Sequence, residues 1–271
     1  MIDLDVESHP AAERARALKR VLGKKSIAAA LTPPRASVRR KRRRACSRLP
    51  GELVVWFVVA LWIFSRDSYQ QVMRWLQKFT DSGVPGASTL CMARQRIGPA
   101  PLRRLAESAV RLLACNRTPL SHYAGLRLMA LDGFVLDVPD TLKNERAFGR
   151  PQGGRTPGAF PQVRVLSLCE VGTHVLWRSL VKPVRRNEQK MAGGVLRHLQ
   201  KDMLLLWDRG FLSFALVEQT LAAGARLLAR IKKNNVFEPI RLLPDGSFLA
   251  KPKFDVQKRP APDSRLGLGH V

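Results

Sequence analysis

Between Cys115 and Leu126 the hydrophobic pattern of the chain changes period, and this one feature limits the fold to a few architectures. From Leu49 to Cys115 apolar residues recur at helical spacing. From Leu126 onward, short apolar runs typical of strands alternate with helical stretches. A helix stripe and a strand face bury different partners, so the chain reads as a helical N-terminal region followed by a mixed α/β sheet region. In the first region Leu53–Phe64 is a run of twelve apolar residues, short of the roughly 20 a bilayer span requires, and reads as a buried helix. Ser68 is placed to cap a helix from Tyr69 to Phe79, and the cluster at 81–86 is a turn. Ser88 is placed to cap a segment carrying Arg94 and Arg96. Pro99 and Pro101 open an amphipathic helix with Leu102, Leu105, Ala109 and Leu112 on one face. A helix-turn-helix can be drawn over 69–97 with Arg94 and Arg96 facing DNA, but its turn is long, and the two arginines equally fit surface charges or salt-bridge partners.

In the second region Leu126–Leu131, Val163–Cys169 and His174–Leu180 read as strands, the last two joined by a hairpin-like turn. Asn187–Gln200 reads as a helix, Met203–Trp207 as a buried strand, Phe211–Ala223 as a helix closed by Gly224, and Arg226–Ile231 as a strand. Upstream of both regions, Ala11–Leu22 has a short helical pattern stopped by Gly23. At the other end residues 251–271 show no periodicity.

Charge narrows the partners. The 271 residues carry 47 Lys+Arg against 21 Asp+Glu, a formal net charge of +26, while 45% apolar content still supports a folded core. Such a field favours nucleic acid or an acidic membrane surface. Arg35–Arg48 concentrates it, with eight basic residues in fourteen and no acid, centred on Arg39, Arg40, Lys41, Arg42, Arg43 and Arg44. As a functional element this run binds phosphates through counterion release; otherwise it is a solvated arm. Aromatic residues make up 7% and many sit in apolar runs, so a stacking platform for RNA is disfavoured. Cys46, Cys91, Cys115 and Cys169 are far apart, which argues against a zinc site or disulfide framework and for a reducing cytoplasm. The acidic N-terminus lacks the apolar core of a secretory signal.

Two aspartates follow apolar runs directly: Asp132 after Leu128–Leu131, and Asp208 after Leu204–Trp207. A carboxylate in that position projects from a strand end, where open α/β sheets place their sites. Two of them on adjacent strands can hold Mg²⁺, which takes oxygen ligands and bridges phosphates. Each also fits a turn former or helix cap beside Gly133 or Gly210.

The motifs around these residues carry a resemblance. Leu131-Asp-Gly133, Asp137 to Thr141, Asn144 and Phe148-Gly149 resemble the first catalytic block of bacterial insertion-sequence transposases of the "four" family. Trp207 to Ser213 resembles their second block. Arg42–Arg44, Leu49-Pro50, Val55-Trp56, Ser68-Tyr69 and Ala93–Gly98 are similar to their N-terminal domain. The likeness runs from about Ser26 to Ala250. It implies a ribonuclease-H-like catalytic fold of the DDE class and a DNA transposase that binds terminal inverted repeats, cleaves by water attack and joins the 3′-hydroxyl to target DNA. Asp132 and Asp208 would be the first two metal-binding acids, for Mg²⁺ or Mn²⁺; Asp137 and Asp140, after a non-strand stretch, are weaker candidates. Arg209, Lys232 and Lys233 would contact DNA phosphates, with generic surface charge as the alternative.

One departure matters. The family's third acid, a glutamate, lies on a late helix in the pattern tyrosine, two residues, arginine, three residues, glutamate, six residues, lysine. The two tyrosines here, Tyr69 and Tyr123, both precede Asp132, and neither Glu218 nor Glu238 has the required context. The sequence thus reads as a C-terminally truncated member with impaired catalysis and with apolar sheet surface left uncovered. The alternative is a non-catalytic DNA-binding derivative that occupies element ends or inhibits the full-length enzyme. The expected organisation is a flexible basic segment (1–48), a helical DNA-binding domain (49–120), an incomplete ribonuclease-H-like domain (125–250) and a tail outside the family (251–271). The implied setting is the bacterial cytoplasm, on the nucleoid, with DNA and possible dimerisation with itself or a full-length copy, and no membrane.

Overall fold

A computed structural model describes residues 22–32, 49–77, 84–152, 158–232 and 238–251. Arg39–Arg44, Lys233, the Ala11–Leu22 pattern short of its last residue and nearly all of the tail lie outside the described residues. The chain divides into two compact units, Met1–Arg111 and Leu112–Val271.

The first unit is helical: α1 (Lys24–Leu31), α2 (Gly51–Ile63), α3 (Tyr69–Gln77), α4 (Ala87–Ile97) and α5 (Pro99–Ala109). Because α2 is apolar on every side, it serves as the helix the others bury, contributing Val54, Val55, Phe57 and Ala60. Val72 and Met73 of α3, Leu90 and Ala93 of α4 and Leu105 of α5 close around it. Helix α1 falls inside the segment read as a flexible arm, yet Ile27 and Ala30 are buried in the same core, and Arg104 Nε donates to the Ala30 carbonyl at 2.7 Å. Ser68 caps α3 as expected, its hydroxyl accepting from the Gln71 amide at 3.2 Å. The predicted Ser88 cap does not form: Gly86 is the N-cap of α4, and no side chain fills that role. Between α4 and α5 the chain turns at Gly98, whose φ of 67° is costly for any residue with a Cβ, and Pro99 starts the next helix.

The second unit is built on a sheet of order β4-β3-β2-β5-β6, with β1 (His122–Tyr123) beside β2. Strands β2 (Leu126–Asp137), β3 (Gln162–Glu170) and β4 (Val175–Pro183) form an antiparallel meander. On the other side of β2, strands β5 (Met203–Trp207) and β6 (Arg226–Ala229) run parallel to it. Parallel pairing needs crossovers, and these are α7 (Glu188–Leu196) and α8 (Phe214–Ala222). Alternation puts Met129, Leu131, Leu166, Leu168, Leu205 and Trp207 on one face, where the two crossover helices bury them. On the opposite face Val163, Val165 and Ser167 are buried, while Phe134, Leu136, Val181 and Leu228 are exposed. The expected exposed apolar surface is therefore present on only part of the face, at those four residues.

Several elements of this unit differ from the sequence expectation, the two-residue β1 among them. Strand β2 runs on to Asp137 rather than ending at Leu131, a short helix α6 (Leu142–Phe148) follows it, and a hairpin of β7 (Glu238–Leu242) and β8 (Phe248–Lys251) occupies part of the stretch after β6. The division between units lies at residue 111, because Leu112 packs on the sheet unit's core and the amides of Leu113 and Ala114 each donate at 2.9 Å to buried Glu170. Glu170 also accepts from Thr173 and pairs with Arg127, which stitches the segment before β1 to the end of β3.

Candidate active site

The sheet register decides where the two aspartates go. Leu131 of β2 is the partner of Trp207 in parallel β5, so Asp132 and Asp208 are the next residues along adjacent strands. Strands in a sheet lie about 4.8 Å apart, so Asp132, within β2, and Asp208, just past the end of β5, occupy neighbouring backbone positions. Leu131 and Trp207 point into the core beneath α7 and α8. Both aspartates are exposed, and the Asp132 carboxylate accepts from the Gly133 amide at 2.8 Å. Across β3 the register partner of Asp132 is Ser167, whose hydroxyl shares a 2.8 Å hydrogen bond with that of Ser179 on β4.

A third charged residue joins this row. Trp207 pairs with Ala229 of β6, and the next residue, Arg230, brings Nη1 within 3.7 Å of Asp208 Oδ1. Both side chains are well exposed, so the pair orients Asp208 more than it stabilises the fold. Arg209 opens the 3₁₀ turn Arg209–Phe211 and is exposed, as is Lys232 beyond β6.

The glycine after Asp132 has a physical reason. A Cβ at Gly133 would stand 3.0 Å from the Glu188 carboxylate, which reaches under β2 from the first turn of α7 and pairs with Arg164 of β3. The remainder of the first sequence block builds scaffold. Asp137, the last residue of β2, accepts from Gln162 Nε2 at 2.8 Å. Asp140 and Glu145 hold Arg150 at 2.6 and 3.1 Å, and the Thr141 hydroxyl caps α6. Asp137 is thus engaged at the end of the β2–β3 ladder and Asp140 in the loop that follows it.

As donors, Asp132 and Asp208 suit a hard divalent cation: adjacent, exposed, oxygen-only and open to water on one side. Among the described residues no group of three or more His, Cys, Asp or Glu is arranged to hold a metal ion. Glu218 lies exposed on α8, and Glu238 begins β7. In the helical unit Arg94 and Arg96 are exposed but have internal contacts: the Arg94 guanidinium sits 5.7 Å from the Tyr69 ring centroid, and Arg96 donates to the Leu49 carbonyl at 3.2 Å. No helix among the described residues is long and apolar enough to cross a membrane.

Parts of this chain are similar to known proteins. Residues 12–107 match the family described as insertion element 4 transposase N-terminal. The chain is 30% identical over 216 residues to the transposase InsG for insertion sequence element IS4 of Escherichia coli (strain K12), covering 78% of this chain and 49% of that protein. A putative transposase InsZ of the same organism is 28% identical over 183 residues, covering 66% of this chain and 58% of the relative. The chain spans about half the length of the curated relatives it matches.

Proposed function

We propose, from its similarity to insertion element 4 transposases, that this chain acts on DNA in transposition, with Asp132 and Asp208 at the reacting phosphodiester. The register that makes Leu131 and Trp207 partners, and so brings the residues after them to neighbouring positions, supports the reading. The strand order, an antiparallel meander with two parallel strands added beyond its first member, supports a ribonuclease-H-like catalytic domain of the DDE class.

In this reading Asp132 and Asp208 would hold Mg²⁺ or Mn²⁺, which when bound would supply Lewis-acid charge at the phosphoryl group. The protein's own residues do the positioning. Arg230 orients the Asp208 carboxylate, and Gly133 keeps the Glu188 pair clear of β2. Arg209, Lys232 and Lys233, with the Arg39–Arg44 run, neutralise phosphates of the terminal repeats and target. Arg94 and Arg96 face DNA with the donors their internal contacts leave free. The setting is the bacterial cytoplasm, on the nucleoid, and two element ends would be joined by pairing with another copy.

Two carboxylates, with no third acid beside them among the described residues, leave the site short of one negative ligand. Phosphoryl transfer rests on positioning and charge stabilisation, so this chain alone cleaves slowly or not at all. That same observation favours a second reading: a DNA-binding derivative that occupies element ends. One experiment separates them. The purified chain and its Asp132→Asn variant are given DNA bearing the element's ends with Mg²⁺, and binding and strand cleavage are followed together. A weak cleavage lost in the variant with binding unchanged supports the enzyme. Equal binding with no cleavage by either supports the derivative, and robust cleavage by the unaltered chain overturns the impairment.

A further inference from the structure

Beside the turn that follows Asp208 lies a cleft of about 400 Å³ whose cations the aspartate row does not use. Arg164 of β3 forms one wall, and Arg185, Arg186 and Asn187 between β4 and α7 form the other. Gly210, two residues past Asp208, closes one side, and its carbonyl accepts from Gln189 Nε2 at 2.6 Å. The cleft is thereby tied to the loop that carries the second aspartate.

The charges in it are unequal in status. Arg164 is fixed: it pairs with Glu188, and its Nε donates to the Val184 carbonyl at 3.2 Å. In the adjoining space Arg150 is likewise held by Asp140 and Glu145. The acids near the cleft are therefore spoken for by wall arginines. Arg185 and Arg186 are exposed, and among the described residues neither has an acidic partner. Two adjacent uncompensated guanidinium groups over a polar cleft make a site for an oxyanion that offers several acceptor oxygens.

We propose that Arg185 and Arg186 bind a phosphodiester of the DNA strand on the far side of the Asp208 turn from the carboxylates, so that the strand is gripped on both flanks of the reacting position. This rests on the DNA reading above and adds a contact to it. Asn187, the N-cap of α7, offers its side-chain amide to the same phosphate. Arg164 and Glu188 serve as positioning residues that keep the cleft open.

The test uses the full chain and a fluorescein-labelled mixed-sequence duplex, with affinity measured across a salt series. Each lost phosphate contact makes the slope of log K against log salt shallower by about 0.9. Arg185→Ala with Arg186→Ala is compared with Lys201→Ala with Arg226→Ala, which removes equal charge where β5 and β6 begin, at the other end of these strands. The expected result is a slope shallower by about 0.9 in the cleft variant, little change in the control, and near-complete recovery in Arg185→Lys with Arg186→Lys. Equal changes in both double-alanine variants would overturn the site, because the arginines would then act only through the general field. An unaltered chain that binds no DNA would remove the DNA reading and this site together. Phenylglyoxal labelling read by mass spectrometry gives a local check: DNA should protect Arg185 and Arg186 and leave Arg226 reactive.

Discussion

Glu170 and Asp132 belong to paired strands of one sheet, and their surroundings give the same functional group opposite roles. Asp132 is open to solvent and free to take a ligand. Glu170 is fully buried and its oxygens are committed to Arg127, Thr173 and the amides of Leu113 and Ala114. Burial pushes the Glu170 carboxyl up, but those donors together outweigh it and hold its pKa below the ordinary glutamate value. With the folded pKa below the unfolded value of about 4.3, the stabilisation is fully present above that value and is lost as pH falls through the folded one. Glu170→Gln should cost about 3 kcal/mol at neutral pH, since it leaves Arg127 without its counter-charge. It should also flatten the acid side of the stability profile. Urea midpoints measured from pH 7 downward check both, and a variant that matches the parent at every pH would refute the role. The residue-level signal for the site is an apolar run ending in a charge. It identifies Asp132 and Asp208, and the same rule applied to Leu227-Leu-Ala-Arg230 yields Arg230, which a search confined to acids does not return. The Arg164–Glu188 pair has no such signal, because only the packing of α7 on β3 brings its members together.

Among the elements, legibility follows burial. Strand β5 coincides with its sequence reading, Met203–Trp207, because a five-residue apolar run buried in mid-sheet leaves little choice. The β7–β8 hairpin was not expected, since every residue of β7 is exposed and no alternation marks it. Its turn is nevertheless written in Leu243-Pro-Asp-Gly246, where Gly246 has a φ of 83° and the Asp245 carboxylate accepts from the Ser247 amide at 3.0 Å. Pro139 suggests an early end to β2, but the strand needs to stop only before Val138. Exposure also yields a prediction. Val181 is 56% and Leu228 62% exposed on the sheet face opposite α7 and α8. Replacing both with lysine should change stability by less than about 0.5 kcal/mol while lowering dye binding and self-association, as a removed apolar patch does. Light scattering and thermal unfolding of the double variant test this, and a large loss of stability would mean the face is covered.

For the whole molecule the dominant quantity is the net charge of +26. If many of those cations meet phosphates, affinity for DNA should fall by orders of magnitude between about 50 and 200 mM salt. An affinity that barely moves over that range would count against the basic segments as the main contacts. The other molecular-scale consequence is one of time. The meander of β2, β3 and β4 joins neighbours in the chain, whereas pairing β2 with β5 must close a loop that contains β3, β4 and α7. Distant pairings bear the larger entropic cost and form later. Asp132 is therefore carried on a strand that finds its first partner early, and Asp208 arrives with a strand that docks afterwards. A nascent copy of this chain would hold the meander before it holds the carboxylate pair, so any activity of the pair is delayed until the fold is nearly complete.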